Sequence, residues 1–149
     1  MKPFAFGLEK ILTLRMHYEN EAKIELGRAV SVLANLESRL FALGTERERA
    51  AAAQFSPGNN TATMQQYMYY LLKLDSDKEI LLKETAAAAL AVEGAREAFL
   101  EKSRDRKVLD KLKEKQQKEH FKRALAGEAI MLDDISSCAK ARSLAAEIA

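Results

Sequence analysis

His17 and Glu21 stand one helical turn apart, the spacing at which an imidazole and a carboxylate on one helix face can share a metal ion. They make half of such a site, and no Cys or second His lies near them in the chain. His120 sits within a run of lysines and arginines, with no identifiable nucleophile or orienting acid, and reads as solvated. Cys138 precedes Ala139 and Lys140 and reads as a small buried or partner-facing residue. Gly44 and Gly58 are isolated, so no glycine-rich phosphate loop is present. The expectation is a protein that is not an enzyme and has no cofactor, metal site or catalytic residue.

Charge is the next signal. The net charge of +2 conceals a local excess: Glu101 to Arg123 holds ten Lys or Arg against five acids. Acids recur three and four residues from the bases, as in Asp110 with Lys113 and Glu114 with Lys118, which is how solvated helix faces are laced together. Phe121 is the lone aromatic in the run, which argues against stacking on nucleic acid and favours an acidic protein surface as the complement.

The elements that carry these residues are set by composition. Ala, Glu, Lys, Leu and Arg dominate, 31% of residues are charged, and there is no Trp, the profile of long helices and coiled coils. Turn-forming residues cluster in one stretch, Gln54 to Thr63, which contains Pro57, Gly58, Asn59 and Asn60. Two long helices are therefore expected, the first over about residues 5–53 and the second over about 64–146, with Thr61 and Thr63 as candidate N-caps. Gly94 and Gly127 are the points where the second could break.

In the first helix Leu8, Leu12, Arg15, Glu19, Ala22, Leu26, Ala29, Leu33, Leu36, Leu40 and Leu43 alternate spacings of four and three, a heptad seam. Arg15 and Glu19 are its polar members, the kind that set register at some cost in stability. Tyr67, Leu71, Leu74, Leu81, Ala88, Val92, Ala95 and Phe99 form the matching track of the second. Folding about Asn59 pairs positions whose numbers sum to roughly 118–120. The alanine stretch from Thr85 to Ala91 then lies opposite Leu33, and Leu8 and Leu12 lie near Leu112 and Leu109. The fold class expected is all-α: a single-domain antiparallel two-helix coiled-coil hairpin. With fewer residues before the turn than after it, the second helix outlasts the first and leaves a C-terminal overhang. That overhang stays amphipathic, with Phe121, Leu125, Ala129, Leu132, Ile135, Ala139, Leu144 and Ile148 near helical spacing, and an external partner is expected to cover it. Fraying or self-association is the competing reading.

Just after the turn, Met64, Tyr67, Met68, Tyr69 and Tyr70 cluster. Tyr67 and Leu71 suit the seam, so Met68, Tyr69 and Tyr70 cannot all be buried. They form either a recognition patch or a wrap around the end of the coiled coil. No apolar stretch approaches the roughly 20 residues of a membrane span, and the N-terminus lacks the hydrophobic segment of a signal peptide, so a cytoplasmic address is expected.

Two stretches resemble a known family. Phe4-Ala5-Phe6-Gly7-Leu8-Glu9-Lys10-Ile11-Leu12-Thr13-Leu14-Arg15, with Glu19 and Ala22, is similar to the opening of the flagellar export protein family FliJ. Arg106-Lys107-Val108-Leu109-Asp110-Lys111-Leu112-Lys113-Glu114-Lys115 resembles that family's basic segment. Glu128 and Leu132-Asp133-Asp134-Ile135 are similar to the acidic motif that the family carries at the same distance downstream. Asp110 and Asp134 stand where the family usually has Glu, and the turn matches no family motif.

The resemblance implies an antiparallel coiled coil similar to the stalk of rotary ATPases. Such a protein binds the hexameric export ATPase, promotes its assembly and hydrolysis, contacts the membrane-embedded export gate and escorts export chaperones at the inner membrane. The residues it marks for the ATPase ring are Phe6, Leu8, Leu12, Arg15, Arg106, Lys107, Lys111 and Lys115. Tyr69, Tyr70, Phe121, Leu125, Leu132 and Ile135 are the candidates for other partners. An injectisome stalk homologue and a nucleic-acid-binding helical arm are the alternatives.

Overall fold

Good helix formers dominate both sides of the one turn-forming cluster, and the chain folds accordingly. The structure, a computed structural model, describes residues 3–148. Helix α1 spans Glu9–Gln54 and helix α2 spans Thr61–Ile148, and the two pack against each other as an all-α hairpin. No strand occurs among the described residues. Neither Gly94 nor Gly127 interrupts α2.

All eleven expected seam positions of α1 are half-buried or buried, and every other residue from Glu9 to Ala42 is exposed. The eight expected positions of α2 are covered in the same way. Buried apolar side chains are few among the described residues: Phe6, Leu12, Ala50 and Leu74. Two helices can bury only one stripe each, so the core is a line of half-covered leucines and alanines rather than an enclosed interior.

The chain divides into two compact units, one of Met1–Met16 with Arg104–Ala149 and one of His17–Ser103. In the first, the terminal unit, Glu9 pairs with Lys113 and Arg15 with Asp105. In the second, the turn unit, Arg47 pairs with Asp75 and the Tyr70 hydroxyl donates to Glu46. The residue numbers of the three ion pairs add to about 120, the antiparallel register that the seam required.

Both helix starts differ from expectation. α1 begins at Glu9 rather than near residue 5, because the chain turns at Gly7 and Leu8 and the Glu9 amide donates to the Phe6 carbonyl at 3.2 Å. Phe6 thereby folds inward and is buried. α2 begins at Thr61, and its cap is Asn60 rather than Thr61 or Thr63. The Asn60 Oδ1 accepts from the Thr63 amide at 2.9 Å and from the Thr63 hydroxyl at 2.8 Å.

The turn between them is closed by its own side chains. Asn59 Nδ2 donates to the carbonyls of Ala53 at 2.7 Å and Gln54 at 3.1 Å, satisfying two acceptors that the end of α1 leaves open. Gly58 adopts φ +99°, a conformation that a side chain would strain.

Candidate interaction surfaces

Of the residues marked for a ring contact, all lie in the terminal unit, and they separate by environment. Phe6 and Leu12 are buried and Leu8 is half-buried, so these three hold the helices together. The Lys113 ammonium stands 6.0 Å over the Phe6 ring, a cation–π contact that adds to the packing. Arg15 reaches across to Asp105, with Nη1 at 3.0 Å from Oδ2. The polar exception in the α1 seam is thus answered by an acid on α2. Sequence reasoning left Asp105 unassigned, although the pairing rule already placed it opposite Arg15. Arg106 binds Asp110 one turn along α2.

Asp110 therefore takes Arg106 rather than the Lys113 expected of it, because Lys113 turns toward α1 and binds Glu9 at 2.7 Å. His120, expected to be solvated, is half-buried, with its ring 5.6 Å from that of Phe4. The signal for it was the same arithmetic that paired Leu8 with Leu112.

Lys107, Lys111 and Lys115 are exposed, as are Lys118 and Lys122. Spaced by four, four, three and four, these five lysines share one face of α2. No ion pair among the described residues engages them. With Glu114 exposed among them, the face is net positive rather than purely so, and the lysine charge is available to a partner.

Farther along the same unit, Phe121 and all residues from Leu125 to Ile148 are exposed, including Leu132 and Ile135 at 67% and 66%. These apolar side chains gain nothing from the fold as it stands.

Tyr69 and Tyr70 belong to the turn unit. Tyr69 and Tyr70 are both exposed, Tyr70 less so, its hydroxyl 3.3 Å from Glu46 Oε1. Partial loss of water and the adjacent Glu46 carboxylate push the Tyr70 phenol above its ordinary range. Beside it Arg47 grips Asp75 through two bonds, Nε to Oδ1 at 2.5 Å and Nη2 to Oδ2 at 3.3 Å. That hydrogen bond, helped by the Arg47 and Lys78 charges, holds the Asp75 carboxyl below the usual carboxylate range, and it raises Arg47 in turn.

His17 Nε2 lies 3.1 Å from Glu21 Oε1, both exposed, which is an ordinary helix-surface pair. No group of three or more His, Cys, Asp or Glu among the described residues could hold a metal ion. Cys138 is exposed. Among the described residues no helix is long and apolar enough to cross a membrane.

The exposed features of the terminal unit are thus a lysine face and an uncovered apolar helix end. The family model for the flagellar FliJ protein matches residues 4–145, nearly the whole chain. The chain belongs to the FliJ family. No curated protein and no solved structure matches it. FliJ proteins are non-catalytic components of flagellar export, and membership makes this chain a component of the flagellar export apparatus that works through contacts with other parts of that apparatus.

Proposed function

We propose that this FliJ-family chain acts as a stalk for the flagellar export ATPase, with the terminal unit entering the ring of ATPase subunits. The observation that carries the reading is the exposed stripe of Lys107, Lys111, Lys115, Lys118 and Lys122. Acidic loops lining a ring lumen are its electrostatic complement, and attraction of this kind governs encounter rate and orientation more than final affinity. Within the terminal unit, Phe6, Leu8 and Leu12 keep α1 and α2 together so that the stripe is presented on a stiff element. The Arg15–Asp105 bridge fixes the register.

A single asymmetric hairpin touches the subunits of a ring unequally. It lowers the free energy of some subunit conformations more than others, and so biases which site binds or hydrolyses ATP. The chain itself performs no covalent chemistry. The uncovered face of Phe121, Leu125, Leu132 and Ile135 receives a second partner, an export chaperone or the export gate, and the protein resides in the cytoplasm against the inner-membrane export apparatus.

ATP turnover by the export ATPase of the same organism, with and without this protein, tests the reading. Stimulation that falls about tenfold with the triple variant Lys107→Glu, Lys111→Glu, Lys115→Glu, helicity being retained, is expected. Equal stimulation by the variant would remove the lysine stripe from the mechanism.

A further inference from the structure

From Ala50 to Leu72 there is not one charged residue, in a chain that is 31% charged. The run comprises the last turn of α1, the connecting turn and the first three turns of α2, all within the turn unit. Its large exposed side chains are apolar and aromatic, Phe55 at 75%, Met68 at 56% and Tyr69 at 66%, with Met64, Tyr70 and Leu72 beside them, and its exposed polar side chains, Ser56, Asn60, Thr61, Gln65 and Gln66, are uncharged.

A groove on a protein covers one face of a helix and leaves charge on the other. Here charge is missing from every face, which suits an environment that surrounds the tip. The level at which charge returns is the same on both helices. It begins at Arg49 on α1 and at Lys73 on α2, and the Arg47–Asp75 bridge and the Tyr70–Glu46 bond tie the two helices together there. The neutral cap therefore ends at a plane, with a ring of charged groups behind it.

The cap is also prepared to lose water. The open carbonyls of Ala53 and Gln54 are taken by Asn59, and the start of α2 is capped by Asn60. No side-chain nitrogen or oxygen is buried without a partner among the described residues. A backbone whose polar groups are satisfied internally enters a region of low dielectric at reduced cost.

We infer that this tip inserts into the boundary layer of a lipid surface, with Phe55, Met64, Met68, Tyr69 and Leu72 against the outer acyl chains, the neutral polar side chains of Ser56, Asn60, Thr61, Gln65 and Gln66 among the headgroups, and Lys73 at the phosphates. Tyrosine is enriched where membrane meets water because its ring is apolar and its hydroxyl is not. The twelve residues from Thr61 to Leu72 rise about 18 Å along the helix, which exceeds the headgroup layer of about 5–8 Å on each side of a bilayer. Binding is driven by apolar burial and is insensitive to salt, unlike any adsorption through the lysine stripe. The inference does not rest on the ATPase reading, since it concerns a different unit and requires no ATPase.

The full-length protein carrying Phe55→Trp tests it, because the chain has no other Trp. Co-sedimentation with neutral phosphatidylcholine vesicles at low and high salt, and quenching of the Trp by brominated acyl chains, are the readouts. Expected are binding unchanged by salt, quenching on binding, and a loss of about tenfold when Met68→Glu and Tyr69→Glu are added. Both positions are exposed, so the fold should survive; Phe55→Glu in the otherwise native chain gives an independent variant. Absence of binding overturns the inference. So does binding to anionic vesicles alone that salt abolishes and the tip variants leave intact, and so does vesicle-bound protein whose Trp is unquenched, as for a tip seated in a protein socket.

Discussion

Residues 104–123 and residues 50–72 are both largely helical, both largely exposed and both close to a line of buried apolar side chains, yet one is crowded with charge and the other has none. In the first region ion pairs settle some of the charge, through Arg15–Asp105, Arg106–Asp110 and Glu9–Lys113, and leave a face of lysines over. In the second, hydrogen bonds from asparagine side chains close the turn with no charge at all. The same two-helix scaffold thus offers two surfaces with different physics, one that salt screens and one that it does not.

The largest expected effect concerns what the charged region depends on. Leu12→Ala should cost about 2–4 kcal/mol, since Leu12 is only 4% exposed and its removal leaves a cavity between the helices. Thermal unfolding followed by circular dichroism checks this, and a loss near zero would mean that ion pairs rather than apolar contact hold the terminal unit. Asn59→Ala comes next, at about 1–2 kcal/mol, because two helix-end carbonyls lose their donor together. Gly58→Ala should cost about 1 kcal/mol, from the positive φ alone, as a Cβ there would meet nothing within 4 Å. The last two sharpen the contrast if neither loss changes with salt.

The smallest effect is one of pH. Asp75 titrates below its unfolded range, so the stability it contributes is fully present above the ordinary carboxylate pKa of about 3.9 and fades as pH falls through the lower folded value. Comparing unfolding of the native chain and of Asp75→Asn on either side of that range should show the difference shrinking in acid. A difference that persists there would mean that Asp75 contributes by something other than its charge.

Much of this architecture was legible in the residues. The four-three spacing named each covered position of α1 as far as Leu43, because two helices have one seam and period locates it; beyond Leu43 the covered positions, Ala50 among them, were not named. Pairing about Asn59 likewise anticipated the cross-helix register. Local chemistry was harder to read. Asn60 took the cap from Thr61 and Thr63, and Gly7 released Phe6 from the helix, choices that depend on a few atoms rather than on period. Among the candidate site residues, the family motif could not separate Phe6 and Leu12, buried between helices, from Lys107 and Lys111, exposed on one face. The motif mixes seam and surface positions; the heptad period already placed Leu12 inward, whereas Phe6 lies before the helix and only packing shows it buried.

The central claim is that the free lysine face, rather than the apolar half of the motif, meets the ATPase. Affinity of the export ATPase for the native protein and for Lys107→Glu, Lys111→Glu, Lys115→Glu, measured by titration calorimetry across a range of salt, tests it most directly. The account predicts native binding that weakens steadily as salt rises, and a variant about tenfold weaker at low salt whose affinity scarcely changes. Identical affinities for the two proteins, or native binding indifferent to salt, would contradict it.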